Sequence, residues 1–274
     1  MTPIQQLMLG VGKAKKTYLD DVFSTYLYEG NGNSGASQSI NNGINLSGEG
    51  GMIWFKNRTH SSSNHELYDT IRGVTKRLRS NSNETEYTEN NTQDLTSFNS
   101  NGFSLGAAGW SKMNWPGDDI ASWSFRKAKG FFDVVTWTTS NDGSAQRISH
   151  NLGCVPGLII IKSLNQTENW TVYHRDIGRS KILNLNSSAA ITNSNNLWDS
   201  SDPTSTDFGW NGGVYNGNQA MIAYVFAGGE STAANARSIE LDGTNDGIKT
   251  STSTDYDFGT GDFTVEFWIK FHTV

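Results

Sequence analysis

The chain has a single cysteine, Cys154, in 274 residues, which excludes an internal disulfide framework and a cysteine metal cluster and leaves packing or assembly as the source of stability. Charge is scarce as well: charged side chains make up 18% of the residues, with 27 acidic against 21 basic groups and a net charge of −6. A field of that sign repels phosphate backbones, so no nucleic-acid partner is expected. No apolar run is long enough to span a bilayer, and membrane insertion is not expected either. Residues 1–12 carry no basic side chain ahead of their apolar stretch and no small-residue cleavage pattern, so a signal peptide is not expected.

What the chain does hold is a hydrophobic fraction of 35% set among Asn, Ser, Thr and 29 Gly, a mixture that suits many short strands joined by polar turns. Aromatic residues at 11%, nine of them Trp, supply enough apolar area to offset conformational entropy and argue against disorder. The length exceeds what one core usually serves, so two domains are expected, with a piece of another.

Sliding the chain along itself exposes an internal duplication. Gly51-Met-Ile-Trp-Phe-Lys56 matches Gly157-Leu-Ile-Ile-Ile-Lys162, 106 residues on (56 to 162). Tyr68, Gly73, Leu78, Asn81 and Phe103 match Tyr173, Gly178, Leu183, Asn186 and Phe208, each 105 residues on (68 to 173). Phe23 matches Phe132, and Trp123-Ser-Phe125 matches Tyr224-Val-Phe226, with offsets drifting only across polar stretches as loop insertions would make them. The copies span residues 22–128 and 131–228 and are joined by almost no linker, so they are expected to stack as neighbours.

Within each copy the patterns read as strands. Leu158–Ile161 is a continuous apolar run suited to burial on both faces. Ala121-Ser-Trp-Ser-Phe-Arg126 alternates, which predicts a half-buried strand with Ala121, Trp123 and Phe125 inward and Ser122, Ser124 and Arg126 outward. Its counterpart Met221–Ala227 has Ile222, Tyr224 and Phe226 on one face and Met221, Ala223, Val225 and Ala227 on the other, predicting fuller cover. The expected class is all-β, two tandem β-sandwich or jelly-roll-like repeats.

The phrases Tyr26-Leu-Tyr-Glu-Gly-Asn-Gly32, Phe131-Phe-Asp-Val-Val-Thr-Trp137, Ile148-Ser-His-Asn-Leu-Gly153, Pro156-Gly-Leu-Ile-Ile-Ile-Lys162 and Asp202-Pro-Thr-Ser-Thr-Asp-Phe208 resemble a family of tail-fibre-like structural proteins of marine tailed phages, cyanophages included. The resemblance covers most of residues 1–230. It implies a non-enzymatic virion component, made in the host cytoplasm and localised to the particle, that forms a homo-oligomer, trimeric as phage fibres commonly are. After a small-residue linker at residues 229–237, the stretch 238–274 is similar to the first strands of a concanavalin-A-like, laminin-G-type jelly roll, with Phe263, Val265, Phe267 and Ile269 on one face. Such a domain needs on the order of 100 further residues to close. The chain is therefore expected to be a fragment of a longer fibre, or these strands to be completed by something else.

Candidate chemistry is thin. Gly102-Phe-Ser-Leu-Gly106 fits the G-x-S-x-G pattern, but a nucleophile elbow needs a helix after the serine, and the following Ala107-Ala-Gly-Trp110 and Asn114-Trp-Pro-Gly117 do not supply one. Copy two has Gly209 where copy one has Ser104. His60, His65, His150, His174 and His272 lack metal-site spacing, and His150 and His174 are expected to pack or hydrogen-bond at strand ends. Gly10-Val-Gly12 and Gly30-Asn-Gly32 read as turns, and Asp242, Asp246, Asp255, Asp257 and Asp262 as turn residues before calcium ligands. Glu266 lacks the second acid that a jelly-roll glycanase needs. No catalysis, metal or cofactor is expected. The basic run Arg72, Lys76, Arg77 and Arg79 ahead of Glu84, Glu86 and Glu89 reads as a mixed solvated surface, with an anionic-glycan contact as the alternative.

The functional expectation is a tail fibre or similar appendage, with the β domains as a shaft or spacer and a distal lectin-like domain for host-surface glycans. A head decoration or neck protein is the rival, and a glycan-binding accessory module of a secreted enzyme the third reading. Residues 1–21 belong to neither copy. In them Ile4, Leu7, Met8 and Val11 fall on one helical stripe followed by Lys13, Lys15 and Lys16, a segment read as a virion-attachment anchor docking on tail or neck proteins.

Overall fold

Alternation of apolar and polar side chains, cut by Gly and Asn turns, produces strands and almost no helix among the described residues. The computed structural model describes residues 17–229, apart from 33–35, 91, 110, 195–196 and 212–216. Copy one runs α1 (Leu19–Val22), β1 (Phe23–Glu29), β2 (Gln38–Asn41), α2 (Leu46–Glu49), β3 (Gly51–Asn57), β4 (His65–Asp69), β5 (Lys76–Arg79), β6 (Tyr87–Thr88), β7 (Leu95–Asn99), β8 (Gly102–Leu105) and β9 (Asp119–Arg126). Copy two runs β10 (Phe132–Thr138), β11 (Ala145–Ser149), β12 (Pro156–Ser163), β13 (Thr171–His174), β14 (Lys181–Asn184), β15 (Thr192–Asn193), β16 (Asp207–Asn211) and β17 (Ala220–Ala227). The anchor residues Ile4, Leu7, Met8, Val11, Lys13, Lys15 and Lys16, and the laminin-G-like stretch 238–274, lie outside the described residues.

The two copies build the same sheet. Copy one orders its six strands β1-β9-β3-β4-β5-β6, and copy two orders its counterparts β10-β17-β12-β13-β14-β15, all neighbours antiparallel. A smaller sheet covers one face of each, β2-β8-β7 in copy one and β11-β16 in copy two. Equivalence extends to single hydrogen bonds. Asn81 Nδ2 donates to Asn64 Oδ1 at 2.9 Å, and Asn186 Nδ2 donates to Asn169 Oδ1 at 2.9 Å. Phe23 and Phe125 meet at 4.9 Å and 47°, their counterparts Phe132 and Phe226 at 4.8 Å and 45°.

Strand alternation sorts the side chains into three cores. Within copy one, Ile53, Phe55 and Tyr68 of the large sheet pack on Ile40, Phe103 and Leu105 of the small one. Within copy two, Ile159, Ile161 and Tyr173 pack on Ile148, Phe208 and Trp210. The opposite faces of the large sheets meet each other: Met52, Trp54, Leu67, Leu78 and Phe125 lie against Leu158, Ile160, Val172, Leu183 and Phe226. These are equivalent positions, so the copies associate through the same face, as two subunits of a two-fold dimer do. Phe125 touches its own counterpart Phe226 at 5.6 Å. The two copies together form one compact unit.

Two consequences follow for particular strands. β9 is covered on both faces, not one: Ser122 and Ser124 are wholly buried, correcting the half-buried reading of Ala121–Arg126. Their hydroxyls are satisfied, Ser122 Oγ donating to Tyr26 O at 3.3 Å and Ser124 Oγ accepting from Asn42 Nδ2 at 2.8 Å. The chain also begins β1 and ends β17 at the same corner, because the rings of Phe23 and Phe226 both lie against Phe125, at 4.9 and 5.6 Å.

Candidate functional site

Arg72, Arg77 and Glu89 of this charged run are folded inward, which corrects the reading of the whole run as solvated surface, while Lys76, Arg79 and Glu84 keep part of their side chains in solvent. Pairing of β4 with β5 sets Glu66 opposite Arg79, and pairing of β5 with β6 sets Arg77 opposite Tyr87. Because side chains alternate along β5, Leu78 enters the core between the copies while Arg77 and Arg79 turn to the other face. There Arg77 Nη1 donates to Glu66 Oε2 at 3.0 Å and its Nε to Glu89 Oε1. Arg79 Nε donates to Glu66 Oε1 at 3.2 Å and Nη1 to Glu84 Oε2 at 2.7 Å. Side-chain exposures of 3%, 1% and 3% at Arg77, Glu66 and Glu89 make this a buried ionic cluster.

Burial pushes the Glu66 carboxyl above its ordinary pKa, and the two arginines offset only part of that. Burial also works against the Arg77 cation, but Glu66 and Glu89 outweigh it and hold its pKa above the ordinary value. At the exposed end the Arg79 hydrogen bond draws Glu84 below the usual carboxylate range, so Glu84 stays ionised.

A second cluster ties copy one to copy two. Tyr224 of β17 donates its hydroxyl proton to Asp69 Oδ2 at 2.9 Å and accepts from Arg72 Nη2 at 3.2 Å, while Arg72 Nε donates to Asp69 Oδ2 at 2.6 Å. Glu86 bridges outward to Arg72 at 3.5 Å and Lys76 at 3.0 Å. The 79–86 segment is held on copy two by Trp170 Nε1, which donates to Arg79 O at 2.8 Å and Ser82 O at 3.0 Å, and by Glu86 N donating to Leu164 O at 2.8 Å.

Between these groups lies a pocket of about 510 Å³. Arg77, Arg79, Glu84, Thr85, Glu86 and Tyr87 line it, and Thr167 of copy two closes it. The Arg77 guanidinium sits 4.5 Å over one face of Tyr87, half of whose surface stays exposed.

Copy two has none of these charged side chains at the equivalent positions. The register of β13, β14 and β15 repeats that of β4, β5 and β6 without a shift, so counterparts are fixed by hydrogen bonding. Where copy one has Glu66, Arg77, Arg79, Glu84, Glu86, Tyr87 and Glu89, copy two has Thr171, Ile182, Asn184, Ala189, Ile191, Thr192 and Ser194. The Asn pairs and the lysine at the start of the strand, Lys76 and Lys181, persist in both. Sequence reading missed Glu66, Tyr87 and Tyr224 as members of the site. The signal was present in the self-alignment: charge is concentrated in one copy at positions the other fills with uncharged residues.

Other candidates are placed elsewhere. Ser104 lies within β8, where its hydroxyl meets Ser39 Oγ at 3.2 Å and accepts from Asn99 Nδ2 at 2.8 Å, so the Gly102–Gly106 segment is a paired strand and forms no elbow. His60 Nδ1 lies 2.7 Å from Asp118 Oδ2. His150 stacks on Phe208 at 6.4 Å and accepts from Leu152 N at 3.3 Å, while His174 accepts from Asp176 N at 3.3 Å. Asp242, Asp246, Asp255, Asp257, Asp262, Glu266 and His272 lie outside the described residues. Among the described residues no helix is long and apolar enough to cross a membrane.

The family model for a domain of unknown function, DUF7483, matches residues 19–247, so the unit that the family defines contains both copies. No curated protein and no solved structure matches the chain.

Proposed function

We propose that this chain, which belongs to the DUF7483 family, is a structural protein of a bacteriophage virion, a tail fibre or similar appendage that displays the paired β module for host-surface attachment. The observation that supports it best is the shared core of the two copies. A particle component working outside a cell must keep its shape unaided, and here Met52, Leu67 and Phe125 packed against Ile160, Val172 and Phe226 lock two repeats into one body with a single cysteine in the chain. The wording of the strands, similar to that of tail-fibre-like phage proteins, supports the same reading. Ile4, Leu7, Met8, Val11, Lys13, Lys15 and Lys16 are then the attachment segment, docking an apolar stripe and a basic tail on a tail or neck protein, in an oligomer of like chains.

The test is gold labelling of the protein on intact particles, viewed by electron microscopy. Label on the tail tip or fibres is expected, and deletion of residues 2–16 should remove it while leaving the melting temperature of the purified chain unchanged. Label on the head or neck, or no label on washed particles, refutes the assignment to a fibre.

A further inference from the structure

We infer that the pocket between Arg77, Arg79, Glu84, Glu86 and Tyr87 is a binding site for a neutral saccharide. This deepens the attachment half of the reading above and rests on it only for the biological setting.

The first support is that the fold does not need the cluster behind the pocket. Copy two makes the same strand pairs, the same Asn contacts and the same turn at Gly178 as copy one makes at Gly73, with Thr171, Ile182 and Ser194 in place of Glu66, Arg77 and Glu89. Two copies of one scaffold, one with charges buried along β4, β5 and β6 and one with uncharged residues at the equivalent positions, form an internal control. Burying ionised groups opposes folding, so side chains that the sister copy does without are held for another purpose. Arg77 also lies over one face of Tyr87, and about half of that residue's surface stays exposed beside the pocket.

The ligand class follows from the lining. Arg77 and Arg79 are matched by Glu84 and Glu86, so the pocket has no excess positive charge to attract phosphate, sulfate or a uronic acid. An anion entering it meets Glu84, which Arg79 keeps ionised. This replaces the anionic glycan considered from sequence. Guanidinium and carboxylate groups standing side by side offer donors and acceptors together, the pattern that adjacent hydroxyls of a sugar ring satisfy, each hydroxyl both donating and accepting. The exposed ring of Tyr87 in the lining supplies a flat apolar surface of the kind on which the C–H face of a pyranose rests. At about 510 Å³ the pocket lies within the roughly 300–1,000 Å³ range of small-molecule sites.

The experiment uses the purified full chain on an array of neutral gluco-, galacto- and manno-oligosaccharides beside sialylated, sulfated and uronic ones, followed by calorimetric titration of the strongest neutral binder. Tyr87→Ala and Glu84→Gln should each weaken binding about tenfold or more, while Thr192→Ala, the counterpart of Tyr87 in copy two, leaves it unchanged. Melting temperatures of Tyr87→Ala and Thr192→Ala should match the parent, since neither side chain is in a core. Absence of any neutral binder, tighter binding of an acidic glycan, or binding that survives both pocket variants overturns the proposal. A chain that binds neutral sugar yet is absent from particles removes the virion reading alone, and a particle-borne chain that binds none removes this inference alone.

Discussion

Replacing the buried ionic cluster of copy one by the residues of copy two should leave the protein as stable as before or more so, whereas removing one member should damage it badly. The variant is Glu66→Thr, Arg77→Ile and Glu89→Ser together, which installs the set found at Thr171, Ile182 and Ser194. With side chains at 1%, 3% and 3% exposure, the charges have lost nearly all contact with water. Exchanging such a group for packed uncharged residues is neutral or stabilising by about 1–4 kcal/mol. Arg79 keeps Glu84 as a partner in the triple variant, so no cation is stranded. Arg77→Ile alone leaves Glu66 and Glu89 buried together with only Arg79 nearby, at a cost of about 3–5 kcal/mol. For a unit of this size 1 kcal/mol moves the melting temperature by about 2–4 °C, so the single variant should melt roughly 6–20 °C lower and the triple variant no lower than the parent. Tryptophan fluorescence during thermal denaturation of the full chain reads both. The pH dependence adds a sign. Glu66 has a folded pKa above its unfolded one, so its charge opposes folding above that pKa, and the opposition fades as pH falls through it. The deficit of Arg77→Ile, in which nothing but Arg79 offsets burial of Glu66, is thus largest where Glu66 is ionised and shrinks as pH falls through its raised folded pKa. A triple variant as unstable as the single one would refute the reasoning, because the cluster would then be holding the strands together.

Tyr224→Phe removes the hydroxyl shared by Asp69 and Arg72 in the core between the copies, and should cost about 1.5–3 kcal/mol in urea denaturation; no change would mean that the contact contributes nothing. Lys162, 1% exposed with its ammonium donating to Ser163 O at 2.9 Å and Gln166 O at 3.3 Å, has its pKa lowered to about 8 by burial, which Glu168 only partly offsets. The charged amine therefore opposes folding in full below about pH 8, and stability recovers as pH rises to the unfolded value of 10.5. Between pH 7 and 10 the parent should gain on Lys162→Met by up to about 3 kcal/mol, and a constant gap would disprove the burial of charge. Copy two expressed alone, residues 131–229, uncovers Phe132, Ile160, Val172, Ile222 and Tyr224 and should pair with itself through that face, giving a dimer or larger species in sedimentation. A well-behaved monomer would refute the role given to the shared core.

Much of the fold was legible because strand periodicity is local. The alternation of Met221–Ala227 correctly assigned Ile222 and Tyr224 to one core and Met221, Ala223 and Val225 to another. Ser122 and Ser124 misled, because polarity implies solvent unless a partner is known, and the partners Tyr26 and Asn42 lie nearly a whole copy away in sequence. The site was illegible for the same reason. Arginines followed by glutamates look alike whether they face water or each other, and only the pairing of β4 with β5 brings Glu66 beneath Arg77 and Arg79.

The corner where Phe23 and Phe226 both meet Phe125 bears on mechanics. A pull applied through the chain arrives at the start of β1 and departs at the end of β17, side by side, so tension crosses the module at one corner and never runs through its stacked layers. The module adds no reach along the line of force; it hangs from that line as a side arm. Such a pull would also open β1 from β9 like a zipper, one backbone pair at a time from Phe23↔Phe125 toward Glu29↔Asp119, instead of shearing seven pairs at once. A module built this way holds its pocket to the side of the line of force, and tension carried by the chain passes it by.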